Sequence, residues 1–157
     1  MVSLLLRNLF FTVLQPGVVA GLVPYLILRS SGRPIVLIEW AFLHLVGILL
    51  IAVGIGIALA CILRFATDGK GTLSPLDPTR KLVIKGLYRY SRNPMYVGVM
   101  SILIGEALFY SSLWLAVYAL VVFTAFHLFI HLHEEPRLRR DFGKEYDTYR
   151  ENVRRWI

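Results

Sequence analysis

The sequence predicts an all-α integral membrane protein, with four transmembrane helices and an amphipathic C-terminal helix on the cytoplasmic side. Three observations carry this reading. First, 57% of the 157 residues are hydrophobic and only 17% are charged, with a mean hydropathy of +0.64. A soluble domain has about 45–50% apolar and about 25% charged residues, and a chain of this length cannot hide the excess in one core. Second, charge-free stretches of membrane-spanning length recur along the chain. Third, 17 Lys and Arg against 10 Asp and Glu leave a net charge of +7, and most of these cations gather in two segments. The length allows one domain, 1–157. Intrinsic disorder, a collagen repeat and a disulfide scaffold are excluded, the last by the single cysteine.

Residues 8–28, between Arg7 and Arg29, carry no charge and form the first helix. Pro16 and Pro24 predict a kink whose freed backbone groups find partners inside the bundle. The same stretch is too long for a signal peptide and lacks an Ala-x-Ala-like exit. The second helix spans 40–65, where Ala52, Gly56 and Ala60 form a small-residue stripe for close packing. Gly54-Ile55-Gly56 has the start of a dinucleotide fingerprint but no strand before it, so it reads as helix. Cys61 reads as a buried packing residue.

Residues 66–93 form a connector that opens as a Gly-, Pro- and Asp-rich loop. Residues 87–91 read as a short interfacial helix, and Asn93-Pro94 as an N-cap and first helical residue. The 41 residues 93–133 contain Glu106 as their only Asp, Glu, Lys or Arg. They give two helices, 94–110 and 113–133, folded into a hairpin at Ser111-Ser112. Gly98, Ser101 and Gly105 are the small stripe of the third helix. Glu106, a turn from the outer interface, snorkels or pairs with a polar neighbour.

The tail, 134–155, places Leu138, Phe142, Tyr146, Tyr149 and Val153 at spacings of three or four among charges. It reads as an amphipathic helix lying on the membrane or lidding the bundle. Gly143 marks a bend and Trp156 an interfacial anchor. Four spans put both termini and the connector on one side. Arg7, seven cations of the connector segment from Arg64 to Arg92 and seven of the tail lie there, against Arg29 and Arg33 opposite. The positive-inside rule makes that face cytoplasmic, with Tyr25, Trp40, Tyr110 and Trp114 as an outer aromatic belt. No nucleic-acid-binding fold accompanies the charge, so the bilayer is its partner.

Three constellations can carry chemistry. Arg92-Asn93-Pro94-Met95-Tyr96 follows Gly86-x-Tyr88 closely. Glu134-Glu135 ends the fourth helix, and reads otherwise as two solvated carboxylates favoured at the N-terminus of the tail helix. His127, His131 and Glu134 share a helix face at a spacing that permits metal ligation, but polar lining is the better reading and no metal is expected.

The segment from Leu82 to Gly98 resembles the isoprenylcysteine carboxyl methyltransferase and phospholipid methyltransferase superfamily. Its members carry G-x-Y-x-x-x-R-[HN]-P-x-Y-x-G, then a helical hairpin, then E-E and F-G-x-x-Y-x-x-Y. Here these are Gly86 to Gly98, Glu134-Glu135, and Phe142-Gly143 with Tyr146 and Tyr149. The likeness covers 80–155 and is to the short bacterial-type members, which lie in a bacterial or archaeal cell membrane. It implies an integral-membrane enzyme that uses S-adenosylmethionine and methylates a lipidic or hydrophobic acceptor. Carried over by position, Arg80, Lys81, Leu82, Val83, Tyr88, Asn93, Pro94, Met95, Tyr96, Glu134 and Glu135 line the cofactor pocket, and Arg92, Asn93 and Glu134 act in catalysis. The prenylcysteine enzymes have His at Asn93, and Arg, thought to meet the substrate carboxylate, at Ile130. The resemblance therefore carries the cofactor half of the site further than the acceptor half. Two alternatives are an NADPH-dependent sterol-reductase-like enzyme and a non-catalytic membrane lipid-binding protein.

Overall fold

The structure, a computed structural model, describes residues 16–31, 41–64, 82 and 84–156. Those residues fold into the helices α1 (Val23–Ser30), α2 (Ala41–Arg64), α3 (Pro94–Phe109), α4 (Leu113–Phe129), α5 (Glu135–Phe142) and α6 (Lys144–Asn152). The first part of the expected helix 8–28 lies outside the described residues, as does most of the loop that opens the connector.

Two π-helical turns interrupt the helices, Val18–Leu22 before α1 and Ile130–Glu134 between α4 and α5. Each has a proline two residues past its end, Pro24 and Pro136. A proline ring supplies no N–H and clashes with the carbonyl four residues back, so the turn widens by one residue. Val23 N–H accordingly reaches Val18 O, and Glu135 N–H reaches Ile130 O. In the first turn, Val19 O accepts the Tyr118 hydroxyl of α4 at 2.9 Å, which supplies a bundle partner for the proline-disrupted backbone.

The second π turn corrects the reading of the tail. Glu134 does not start a separate helix: Leu113–Phe142 is one continuous apolar-to-basic rod of 30 residues. Its length of about 45 Å exceeds a hydrocarbon core of about 30 Å. The break comes at Gly143, whose φ of +53° and ψ of −127° lie where L side chains are strained.

Two helices, α2 and Leu113–Phe142, are long and apolar enough to cross a membrane; Val18–Ser30 and Pro94–Phe109 are apolar but shorter. Large hydrophobic side chains such as Phe42, Leu45, Leu49, Val53, Leu59, Leu120 and Val121 face outward. Such an apolar exterior belongs in lipid, and the chain is a membrane protein.

Helices α2 and α3 touch backbone to backbone. A Cβ on Gly47 would lie 2.7 Å from Gly105 O, and one on Gly54 would lie 2.6 Å from Gly98 O. The stripe on α2 is therefore Gly47, Gly54 and Cys61 at seven-residue spacing, with Ala58 beside it. It is not Ala52, Gly56 and Ala60: Gly56 has nothing within 4 Å of where its Cβ would be. Helices α3 and α4 enclose Val99, Leu103, Ala119 and Val122. Their hairpin turns through Ser111 at φ +44°, and Ser112 Oγ caps α4 by accepting Leu115 N–H at 3.4 Å.

Candidate active site

The hairpin builds the site. Its arms have nearly equal length, 16 residues in α3 and 17 in α4, so the π turn Ile130–Glu134 comes back level with Arg92, Asn93 and Pro94. A 3₁₀ turn, Gly86–Arg89, approaches from the connector, where a short interfacial helix over 87–91 was expected. Gly86, at φ +62°, allows that turn to start. Helix α6 closes the site from below.

Tyr96, one turn into α3, donates its hydroxyl to Glu134 Oε2 at 2.8 Å and rests edge-on against Phe126, with ring centroids 4.7 Å apart. Glu135 is buried between two guanidinium groups, which overturns the reading of both carboxylates as solvated. Arg92 NH1 stands 2.9 Å from its Oε1, and Arg155 donates Nε and NH2 to its two oxygens at 2.9 and 2.8 Å. Arg92 NH1 also donates to the Tyr146 hydroxyl at 3.2 Å. Its Nε is buried with no hydrogen-bond partner among the described residues.

Asn93 occupies the N-cap position of α3 but makes no side-chain capping bond. Its amide instead donates to Arg155 O at 3.1 Å, and its N–H donates to Ser91 Oγ at 3.1 Å. Pro94, the first residue of α3, is buried, and Met95 packs on the Cys61–Tyr88 cluster. Leu82 is half-buried. Arg80, Lys81 and Val83 lie outside the described residues.

Tyr88 O accepts the Tyr149 hydroxyl at 2.7 Å. Burial pushes the Tyr88 phenol well above its ordinary range, reinforced by the Cys61 thiol with which it shares a hydrogen bond and by Glu134 nearby. Burial likewise raises Tyr146 and Tyr149; Glu135 adds to the rise at Tyr146, while Arg92 opposes it at both. All three phenols are thus protonated at neutral pH.

Two sequence candidates do not join this cluster. Glu106 sits toward the far end of α3. Its Oε2 is buried without a hydrogen-bond partner among the described residues, and Tyr118 gives its hydroxyl to Val19 O instead. His127 lies against Trp156 and Phe123. Among the described residues, no three His, Cys, Asp or Glu side chains are grouped to hold a metal ion. Trp156 is accordingly an intramolecular contact of α4 where a membrane anchor was expected. Sequence reasoning did not place Arg155, Ser91 and Tyr146 in the site. Tyr146 and Tyr149 had a signal, their three-residue spacing on the amphipathic face; Arg155 had none, since its carboxylate partner is 20 residues away.

The arrangement offers a carboxylate held by a phenol, a buried guanidinium whose Nε has no partner among the described residues, and an aromatic wall. A family model described as phospholipid methyltransferase matches residues 42–145. That stretch holds α2, the Arg92–Tyr96 segment, the α3–α4 hairpin and Glu134-Glu135. No curated protein and no solved structure matches the chain.

Proposed function

The chain belongs to the phospholipid methyltransferase family, and from that premise we propose that it transfers a methyl group from S-adenosylmethionine to a lipidic or hydrophobic acceptor within the bilayer. The observation that carries this reading is the pairing of Tyr96 with Glu134 at 2.8 Å, next in sequence to the Glu135 that holds Arg92, whose Nε has no partner among the described residues. S-adenosylmethionine brings an ammonium, a sulfonium and a carboxylate, and when bound it supplies an electrophilic methyl group. The residues fit such a ligand. The Glu134 carboxylate offsets the desolvation of a cation, and the Tyr88 and Tyr96 rings favour a methylated one. The Arg92 Nε, without a partner among the described residues, is a donor for the ligand's carboxylate.

In this reading Arg80, Lys81, Leu82, Val83, Tyr88, Asn93, Pro94, Met95 and Tyr96 line the cofactor pocket with Glu134, and Glu135 sets the orientation of Arg92. Methyl transfer is a displacement at carbon, so the work of Arg92, Asn93 and Glu134 is alignment. A carboxylate acceptor needs no general base, whereas an amine must first lose a proton. Ile130, fully buried where prenylcysteine enzymes carry Arg, leaves no cation there for a carboxylate and favours an acceptor held by apolar contact. In this reading the two shorter apolar helices cross as well, and the distribution of cations favours both termini and this site on the cytoplasmic face. The family match favours methyl transfer over the reductase-like and non-catalytic readings.

The test is calorimetry of S-adenosylhomocysteine binding to the purified chain, followed by labelled-methyl transfer into a membrane lipid extract. Glu134→Ala weakens binding by about tenfold, or about 1.4 kcal/mol. A wild-type chain that binds neither S-adenosylmethionine nor S-adenosylhomocysteine rules the reading out.

A further inference from the structure

After Asn152 the chain leaves α6 with Val153 extended, at φ −128° and ψ 131°, and crosses to the start of α3. Its carbonyls there take up the polar groups of the Arg92 segment. Arg154 O accepts Arg92 N–H at 2.9 Å, and Arg155 O accepts both Asn93 Nδ2 at 3.1 Å and Ser91 Oγ at 3.3 Å. The Arg155 side chain holds Glu135 through two parallel hydrogen bonds. The Trp156 ring then lies nearly parallel to His127, at 15° and 6.4 Å, with Phe123 at 5.2 Å. Residues 153–156 thus tie together the connector, α4 and α5, the three elements that meet at the site.

A buried carboxylate between two guanidinium groups keeps a fixed orientation only while both remain. A bidentate fork sets that orientation in a way that a lysine ammonium cannot. Removing one partner of such a group is far more disruptive than its exposed counterpart. We propose that Arg155 is a positioning residue for the methyl-transfer site, holding Glu135 and through it Arg92, with Trp156 on His127 as the latch that keeps the strap in place. The proposal rests on the reading of this site as a pocket for S-adenosylmethionine.

The groups that face Glu135 are Arg92 before α3, Arg155 in the strap, Tyr146 of α6 through Arg92, and the adjacent Glu134. With Arg155 gone, the carboxylate loses the fork that fixes its plane and keeps only the Arg92 guanidinium, so both partners lose their fixed orientation. Affinity in the variant therefore falls.

The experiment measures S-adenosylhomocysteine binding by the full-length chain in detergent. Arg155→Gln raises Kd by about tenfold. Arg155→Lys, which keeps the charge but not the fork, recovers only part of that affinity. If Arg155→Gln does not stay folded, Trp156→Ala provides the comparison, raising Kd with the melting temperature held above the assay temperature. Independently of ligand, a Trp40→Phe/Trp114→Phe chain reports Trp156 emission, which His127→Ala shifts by removing the stacked ring. Emission unchanged by that substitution overturns the latch. A wild-type chain that does not bind overturns the methyl-transfer reading and the positioning role together. Wild-type binding left unchanged by Arg155→Gln overturns the positioning role alone.

Discussion

Tyr146 and Tyr149 stand three residues apart on α6 and reach different halves of the site. Tyr146 accepts a hydrogen bond from Arg92, and Tyr149 donates one to the carbonyl of Tyr88. Replacing Tyr149 by Phe strands a buried carbonyl, which costs about 1–3 kcal/mol. Thermal unfolding in detergent should show that loss, and an unchanged melting temperature would mean that Tyr149 does not pin the 3₁₀ turn. The residue scale was the most legible where a motif is local. Arg92, Asn93 and Tyr96 lie within five positions, and Glu134 follows after one hairpin. The ion pairs of Glu135 were not legible, because its neutralising cations are 43 residues before it and 20 after it. Proximity created only by the fold has no trace in local spacing.

At the scale of elements, prolines and glycines did more than hydrophobic periodicity. Helix α2 is apolar all round, so no face stands out and a stripe at four-residue spacing looks as good as one at seven. Contact with α3 decides for Gly47 and Gly54. Gly54→Ala sets a methyl group 2.6 Å from a backbone oxygen and should cost about 1–3 kcal/mol. Gly56→Ala meets open space and should be neutral or stabilising by up to about 1 kcal/mol. Melting temperatures of the two variants decide between the stripes; equal behaviour would show that the helices do not meet along Gly54. The hairpin at Ser111-Ser112 was readable, because two small polar residues interrupt 41 otherwise apolar positions. The continuity of α4 into α5 was not. Pro136 suggests a boundary, but the π turn absorbs it and carries the helix through.

For the whole molecule, composition announces a membrane protein and the distribution of cations proposes its orientation. In a Cys61→Ala background, Tyr110→Cys should react with a membrane-impermeant maleimide in intact cells, while Glu151→Cys should react only after lysis. The reverse pattern would place the Arg92–Glu134 cluster on the outer face and remove it from the cytosolic cofactor pool. The paired glycines bear on this scale as well. Backbone contact at two levels, Gly47 with Gly105 and Gly54 with Gly98, leaves α2 and α3 no room to slide past each other, and Arg64 and Pro94 mark the same end of the resulting beam. A bilayer thicker or thinner than the apolar band is then met by tilting that beam as a whole. The depth of the methyl-transfer cluster relative to the headgroups is set by the tilt, while its internal distances stay constant from one lipid composition to another.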